Sequence, residues 1–332
     1  MPRTVGLHWW RHDDADLWFN QCDGPAGRHR DIVLRPWDRD ADHILISASP
    51  VNASGEPRLP PVRKRLAKLR GRYDAERLSH AIDAIGRDRD DMTMLVYEPS
   101  PAFSDAWFEV ARERCRAVYA PDERATHPFV LPRTWSFPER APALRAEPVP
   151  NESDDDRPLP LVCVTSGKSL WKGHDARLAF LRRLRAAGVP FDLYGRSLPA
   201  DLKPRGPLQS KASVLRAARL TLAIENTDEG DRYVTEKLWD PLICWSLPLY
   251  VGPRAADRVA PEGSFVRVPD LADAGVDAIR EALADPNLRR DRLDAIRAAR
   301  EAALGPLRLV EWIAAVTPPN AHRNDASLHA RP

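Results

Sequence analysis

Cysteine is scarce in this 332-residue chain, and its spacing forms no recognisable site. The four cysteines are Cys22, Cys115, Cys163 and Cys244, with no Cys-x-x-Cys pair. This argues against a disulfide framework and a thiolate metal site, and it fits a reducing compartment. The N-terminal residues MPRTVGLHWWRHDD also lack the apolar segment of a signal peptide. The sequence therefore predicts a cytoplasmic protein.

Long apolar runs and an excess of one charge are also missing. The longest uncharged stretch of interest, Pro241–Pro253, has 13 residues including three prolines, whereas a membrane-spanning helix needs about 20 apolar residues. Fifty basic and 48 acidic side chains leave a net charge of +2. The short uncharged stretch argues against a membrane span, and the charge balance argues against general nucleic-acid or membrane-surface binding. Lysine supplies only seven of the 50 basic residues.

Familiar nucleotide and metal motifs are incomplete. Ser166–Ser169 reads SGKS, like the end of a P-loop, but Val162 stands where that motif needs glycine. No GxGxxG follows a predicted strand, which argues against a dinucleotide-dependent dehydrogenase. His8 and His12 are four residues apart, as two ligands on a helix would be, but a strand end and a loop histidine are the favoured interpretation. The sequence predicts neither a metal site nor a cofactor.

A segment rich in proline and charge divides the chain. Residues 137–160 read FPERAPALRAEPVPNESDDDRPLP, without an apolar period, as in interdomain linkers. We predict an N-terminal domain at 1–137, a linker at 138–160 and a second domain at 161–305. A helix at 306–317 could cross back to the first domain, and 318–332 read as a flexible tail.

Apolar strands alternate with amphipathic helices in both halves. In the first half the predicted strands are Val5–Trp10, His43–Ser47 and Met92–Tyr97, and the helical stretches are 63–70, 75–85 and 105–115. In the second half the strands are 161–165, 191–194, 219–224 and 247–251, and the helices are 175–187, 212–218, a helix from about 234, 273–284, 288–303 and 307–315. This alternation is typical of α/β domains with a parallel, doubly wound sheet.

One segment of the second half concentrates polar groups at a strand end. A buried strand ends at Glu225-Asn226, a polar loop follows, and Glu236 and Lys237 open a helix. Ligands of open α/β sheets bind at the carboxyl ends of strands, and a helix N-terminus favours anions. A nucleoside diphosphate needs a cation for its phosphates and a carboxylate for its hydroxyls. An ordinary surface helix with Glu in its first turn fits the spacing equally well.

The residues of this segment resemble the α1,3/α1,4-fucosyltransferase family, bacterial type. The similarity rests on IENT at 224–227, YVTEKLWD at 233–240, LPLYVGP at 247–253 and PEGSFV at 261–266. Upstream, RLAFL at 177–181, PFDLYGR at 190–196, YEPSP at 97–101 and FVLP at 129–132 also match. Thr227 in place of Ser, Ser100 after Pro99 and the helix-interrupting Pro241 depart from the family pattern.

The resemblance implies the GT-B fold, with two Rossmann-like domains facing a central cleft, and an inverting transfer of fucose from GDP-fucose to a glycan hydroxyl. It implies that Arg177 and Lys237 neutralise the pyrophosphate without a metal and that Glu236 accepts hydrogen bonds from sugar or ribose hydroxyls. Asn226 and Tyr233 would line the donor pocket. Further donor-site candidates are Lys168, Arg196 and Glu225, with a surface salt bridge as the alternative for Arg196.

Glu98 is the candidate general base. It follows the apolar strand MTMLVY and precedes Pro99, and a carboxylate can serve as base where burial raises its pKa. A solvated loop carboxylate is the alternative. For the whole chain, two other functions stay open: the same reaction with a different GDP-sugar, and a nucleotide-sugar-binding protein without catalysis.

Overall fold

The chain forms two compact units. A computed structural model describes residues 2–9, 18–48, 75–98, 103–130, 135–150, 157–169, 172–226 and 230–319. Unit 1 consists of Met1–Ala15, Cys22–His127 and Val310–Pro332, and unit 2 consists of Asp16–Gln21 and Pro128–Leu309. Within the described ranges, no helix is long and apolar enough to cross a membrane.

The boundary between the units differs from the one expected from the sequence. Unit 2 begins at Pro128 rather than after residue 137, and the segment expected to be a linker contains the helix Ala141–Ala146. Ala141 and Leu144 of this helix are buried in the core of unit 2, as is Trp135 before it. The high proline and charge content of this segment concealed two apolar residues spaced three apart, Ala141 and Leu144, which form the buried face of a short helix.

Unit 1 is built on a seven-stranded sheet in the order β2-β3-β1-β4-β5-β6-β7. The strands are β1 (Arg3–Trp9), β2 (Arg28–His29), β3 (Ile32–Pro36), β4 (His43–Ala48), β5 (Met92–Val96), β6 (Ala117–Ala120) and β7 (His127–Pro128). The pairs β3-β1, β1-β4, β4-β5 and β5-β6 are parallel, and β2 is antiparallel to β3. All five residues of β5 are buried, which explains its unbroken apolar sequence.

Helices cover this sheet. Residues 75–85 are helical, as predicted, whereas the predicted stretch 63–70 lies outside the described residues. Asp105–Arg114 forms a helix capped by Ser104, whose side chain accepts a hydrogen bond from the Trp107 amide. Trp107 and Phe108 are buried against the sheet. The terminal helix Leu309–Val316 lies almost entirely in unit 1.

Unit 2 contains a five-stranded, fully parallel sheet in the order β12-β11-β10-β8-β9. Its strands are β8 (Leu159–Val164), β9 (Asp192–Tyr194), β10 (Ala218–Ile224), β11 (Leu247–Val251) and β12 (Val266–Arg267). Its longer helices are Lys172–Ala186, Lys211–Ala217, Glu236–Ile243, Asp273–Ala284 and Leu293–Leu304, and a short helix spans Ala255–Val259. The two sheets, one mainly and one fully parallel, together with their helices confirm the predicted α/β class. Because β10 is central, the residues that follow it lie between the ends of β8 and β11.

Candidate functional site

Glu225, at the end of β10, organises the start of the next helix. Its Oε1 accepts hydrogen bonds from the Thr235 amide (2.8 Å) and the Tyr250 hydroxyl (3.1 Å), and its Oε2 accepts one from the Thr235 hydroxyl (2.7 Å). Burial raises the pKa of Glu225, and the positive charge of Lys237 opposes that rise. Both oxygens of this predicted donor-site candidate are therefore engaged by the protein, which gives Glu225 a positioning role.

Thr235 caps the helix Glu236–Ile243 and places the two charged residues of its first turn. Its hydroxyl accepts a 3.3 Å hydrogen bond from the Lys237 amide. The Lys237 Nζ lies 3.5 Å from Oε2 of Glu225 and 3.6 Å from Oε1 of Glu236. Burial favours the neutral form of Glu236, but the charges of Lys237 and Lys211 outweigh it and lower the pKa to about 2. Glu236 is thus an ionised acceptor beside an ammonium group, with 34% of its side chain exposed.

Arg177 is a buried cation in the helix Lys172–Ala186. Only 1% of its surface is exposed. Its guanidinium donates to Oδ1 of Asn226 at 2.7 Å and to the Ser166 carbonyl at 3.0 Å, and its Nε has no hydrogen-bond partner among the described residues. Burial lowers the pKa of Arg177. The more distant charge of Glu225 opposes this fall, but no described carboxylate lies within ion-pair distance, and a buried charge without a direct partner costs several kcal/mol. Such a group is suited to receive an anion.

A third cation, which the sequence analysis did not single out, lines the same pocket. Lys211, Arg177 and Lys237 all contribute to a pocket bordered by β8, β10 and Pro241. Lys211 already has a counter-ion, because its Nζ lies 2.6 Å from Oδ2 of the fully buried Asp240. Lys211 lies one residue after the helix-capping Ser210 and belongs to no recognised motif. Only the rarity of lysine in this chain could have drawn attention to it.

Pro241 shapes the end of this helix, as its sequence position predicted. The helix ends at Ile243, two residues beyond the proline. The amide of Ser246 donates to the Pro241 carbonyl at 2.9 Å, so the chain turns directly back into β11. The helix is consequently a short element with its charged N-terminal turn at the carboxyl edge of the sheet.

His174 is a second residue that no motif identified. It is buried one helical turn before Arg177. Burial lowers its pKa to about 4, and the positive charges of Arg177, Lys237 and Lys168 add to the effect. His174 is therefore a neutral imidazole surrounded by cations at neutral pH.

Lys168 and Arg196 lie at the same edge of the sheet but not in the buried cluster. Both side chains are exposed. Their loops run side by side, with the Gly167 amide donating to the Arg196 carbonyl at 2.9 Å. A Cβ at Gly167 would stand 1.7 Å from the Ser197 carbonyl oxygen. Glycine at 167 therefore allows this close approach. This packing explains the glycine without a P-loop.

The other predicted site residues occupy two different environments. Tyr233 is buried two residues before the capping Thr235. Glu98 lies in unit 1, two residues after β5, and is half-buried; the matching residues Pro99–Pro101 lie outside the described residues. His8 is a buried strand residue, and His12 lies outside the described residues. No cluster of three or more His, Cys, Asp or Glu suited to a metal occurs in the ranges that the structure describes.

Comparison with known proteins places this site inside a recognised region. Residues 162–283 match the model of the glycosyltransferase family 10 (fucosyltransferase) C-terminal region, which contains every predicted site residue except Glu98. A putative fucosyltransferase-like protein of Arabidopsis thaliana is 34% identical over 98 residues. That stretch covers 29% of this chain and 18% of the Arabidopsis protein.

Solved structures show the fold. HepE of Anabaena in complex with UDP matches with a TM-score of 0.53 and 11% identity, over 95% of this chain and 98% of that one. An α-glucosyltransferase in complex with UDP and DNA matches with a TM-score of 0.50 and 10% identity, over 90% and 95%. An α1,3-fucosyltransferase with GDP-fucose matches at 0.44, with 18% identity over 88% and 81%. The chain has the GT-B fold of glycosyltransferases, and residues 162–283 of its second unit match the family 10 (fucosyltransferase) C-terminal region.

Proposed function

We propose that this protein is an inverting glycosyltransferase that transfers fucose from GDP-fucose to a hydroxyl group of a glycan acceptor. The observation that carries the proposal is the buried guanidinium of Arg177, which has no ion-pair partner among the described residues. It lies in a region matching a fucosyltransferase family. A nucleoside diphosphate supplies the anion that this cation lacks.

The cations would act on the leaving group. As the bond between the anomeric carbon and the β-phosphate oxygen breaks, the GDP gains negative charge. Arg177 and Lys237 are held in place before the reaction, so they stabilise that charge without reorganising. Lys211 is paired with Asp240 at 2.6 Å and Lys237 lies 3.5 Å from Glu225, so both contribute less than Arg177. Protein cations would in this way take the role that a divalent metal has in other transferases, and we expect the reaction to need no metal or cofactor.

The neighbouring polar groups would orient the donor. Ionised Glu236 accepts hydrogen bonds from hydroxyl groups of the sugar or the ribose. Asn226 holds Arg177 through its carbonyl oxygen at 2.7 Å, and Tyr233 would line the donor pocket. Lys168 and Arg196, exposed on adjacent loops, would contact the donor from the solvent side.

Glu98 would be the base in unit 1. In an inverting transfer, the acceptor hydroxyl attacks the anomeric carbon, and a base accepts the hydroxyl proton. Glu98 follows the wholly buried strand β5 and is itself half-buried, an environment that favours the proton-accepting role. Four buried cysteines without a Cys-x-x-Cys pair and a net charge of +2 support a cytoplasmic protein that acts on carbohydrate and not on nucleic acid.

Calorimetry with the full chain tests the proposal. We expect GDP to bind in the presence of EDTA, and to bind more tightly than UDP, the nucleotide in the two fold neighbours. Incubation with GDP-fucose and other GDP-sugars then identifies the sugar that is released or transferred. Absence of GDP binding would overturn the proposal. GDP binding without turnover of any GDP-sugar would identify a binding protein, and turnover of another GDP-sugar would change the donor.

A further inference from the structure

The carboxyl edge of the unit 1 sheet has a crevice-forming topology at β1. From β1 the chain proceeds to β3 on one side of that strand and then to β4 on the other. The chain order therefore reverses at β1, and open α/β sheets bind ligands outside the carboxyl ends of strands at such a point. The residues that flank the end of β1 are consequently candidates for binding a second ligand.

Trp37 lies at this point and is exposed. It directly follows β3, and its amide donates to the Leu7 carbonyl of β1 at 2.9 Å. Its side chain is 42% exposed. The indole contacts the imidazole of His8 edge-on, with ring centroids 5.4 Å apart and an angle of 75° between the planes. His8 is itself buried, so the exposed indole packs on a buried imidazole.

The backbone at Trp37 is strained. Its φ angle is +55°, a left-handed conformation that is a clear outlier for a bulky residue. The contrast with Trp245 is informative, because that tryptophan also has a positive φ angle but is buried in the core of unit 2. For Trp245, packing offsets the strain. Trp37 has the strain and leaves much of its indole in water.

The turn that holds Trp37 packs closely against β1. A Cβ at Gly6 of β1 would stand 2.0 Å from the Asp38 carbonyl oxygen, so the turn packs directly on the glycine. The His8 Nε2 lies 3.4 Å from the same oxygen. Backbone strain that is held in this way by its surroundings occurs preferentially at ligand-binding sites.

The chemistry of the surface fits a sugar ring. An exposed indole can stack on the apolar C–H face of a pyranose. Next to Trp37 in the sequence, the Asp38 carboxylate lies 3.4 Å from the exposed guanidinium of Arg35, and such polar groups can bind hydroxyls and fix the orientation of the ring. Here we define the Trp37 platform as Trp37, His8, Arg35 and Asp38.

We propose that the Trp37 platform binds a sugar unit of the glycan acceptor; as an acceptor subsite, it rests on the proposed function. Trp37 follows β3, and Glu98 follows β5, three strand positions away in the sheet. At about 4.8 Å per strand, the ends of these two strands are roughly 14 Å apart. We therefore expect one sugar ring to contact only one of the two residues. The platform would therefore hold a sugar remote from the reacting hydroxyl, and the acceptor would be an oligosaccharide.

Two measurements on the full chain test this inference. In the first, an array of defined oligosaccharides is probed with the wild-type protein, and the affinity of the bound glycans is then measured by calorimetry for Trp37→Ala, Trp37→Gly and Trp37→Phe. We expect Ala and Gly to weaken glycan affinity about tenfold or more and Phe to retain most of it. Val149→Ala is the matched control, since Val149 is equally exposed but belongs to unit 2. GDP affinity should be unchanged in all four variants.

The second measurement is the thermal unfolding midpoint without ligand. Because glycine adopts a positive φ angle without strain, we expect Trp37→Gly to unfold at a higher temperature than Trp37→Ala. If Trp37→Gly is more stable than Trp37→Ala but binds glycans more weakly than the wild type, the strained tryptophan serves binding and not stability. Glycan affinity that survives in Trp37→Ala would overturn the inference, and so would an array on which the wild type binds nothing. Failure of GDP to bind would overturn the proposed function and the acceptor role with it, whereas glycan affinity that depends on Trp37 would still identify the platform as a sugar-binding surface.

Discussion

The guanidinium of Arg177 and the side-chain carbonyl of Asn226 are joined by a 2.7 Å hydrogen bond between residues 49 positions apart in the chain. Asn226 directly follows Glu225 at the end of the central strand, and Arg177 comes from the helix after β8. A neutral amide at this position fixes the guanidinium without neutralising it. The choice of Asn over Asp therefore keeps the full positive charge available for an anion.

Asn226→Asp should convert the anion site into an internal ion pair. The new carboxylate has the shape of the amide and would compensate the buried charge of Arg177. We expect GDP affinity to fall at least about tenfold, since charge-assisted contacts contribute about 1.5–3 kcal/mol. We also expect the thermal midpoint without GDP to rise. Asn287→Asp, at an exposed asparagine, is the control for the added negative charge. A variant that binds GDP as tightly as the wild type would show that Arg177 does not meet the diphosphate.

Glu225 should prove important for stability and not for donor contact. Glu225→Ala leaves the Thr235 amide, the Thr235 hydroxyl and the Tyr250 hydroxyl buried without their acceptor. Each such loss costs about 1–3 kcal/mol, so we expect the free energy of unfolding in urea to fall by about 3 kcal/mol or more. Glu225→Gln retains an acceptor and should lose much less. Because Gln also removes a negative charge near Lys237, GDP affinity should be kept or increased; a tenfold decrease would instead place Glu225 in contact with the donor.

The pH dependence of stability should reveal His174. Its pKa is about 4 in the folded protein and about 6.5 in an unfolded chain. Between these values the unfolded state binds the proton and the folded state does not, so stability falls as the pH drops from 6.5 towards 4. His174→Gln should reduce this pH-dependent loss of stability by an amount on the order of 2–3 kcal/mol. His43 also has its pKa lowered to about 4. The variant that replaces both His174 and His43 with Gln should therefore show the smallest change in the free energy of unfolding between pH 7 and 4, measured by denaturant titration. An unchanged slope in His174→Gln would contradict the assignment.

Local sequence patterns predicted the framework of the site well. The run RLTLAI became the central strand β10, and the TEKL segment became a helix start because Thr235 is a good capping residue. Strands β3 and β6 were not predicted. Their sequences are IVLRP and AVYA. Such strands are specified by their neighbours in the sheet and not by their own sequence.

Contacts between distant residues were beyond the reach of the sequence. The pair of Lys211 and Asp240 and the network of Glu225 with Tyr250 each join separate elements, and no spacing rule relates their positions. The strain at Trp37 depends in the same way on its contact with β1. Sequence reasoning identified the charged residues near the strand ends, but it could not tell which charges already have a partner. That distinction separates Arg177 from Lys211.

Glu98→Gln should separate catalysis from donor binding. Glutamine keeps the shape of the side chain but cannot accept the proton of the acceptor hydroxyl, and loss of a general base typically lowers the rate by about 10²–10⁴. Glu98 belongs to unit 1, whereas the candidate diphosphate ligands belong to unit 2, so GDP affinity should stay at the wild-type value. The decisive comparison is GDP affinity and single-turnover transfer measured on one sample of the variant. Glu123→Gln, another unit 1 glutamate, serves as the control and should retain transfer. Transfer by Glu98→Gln within a few fold of the wild type would exclude Glu98 as the base, and a weaker GDP complex would assign it to the donor instead.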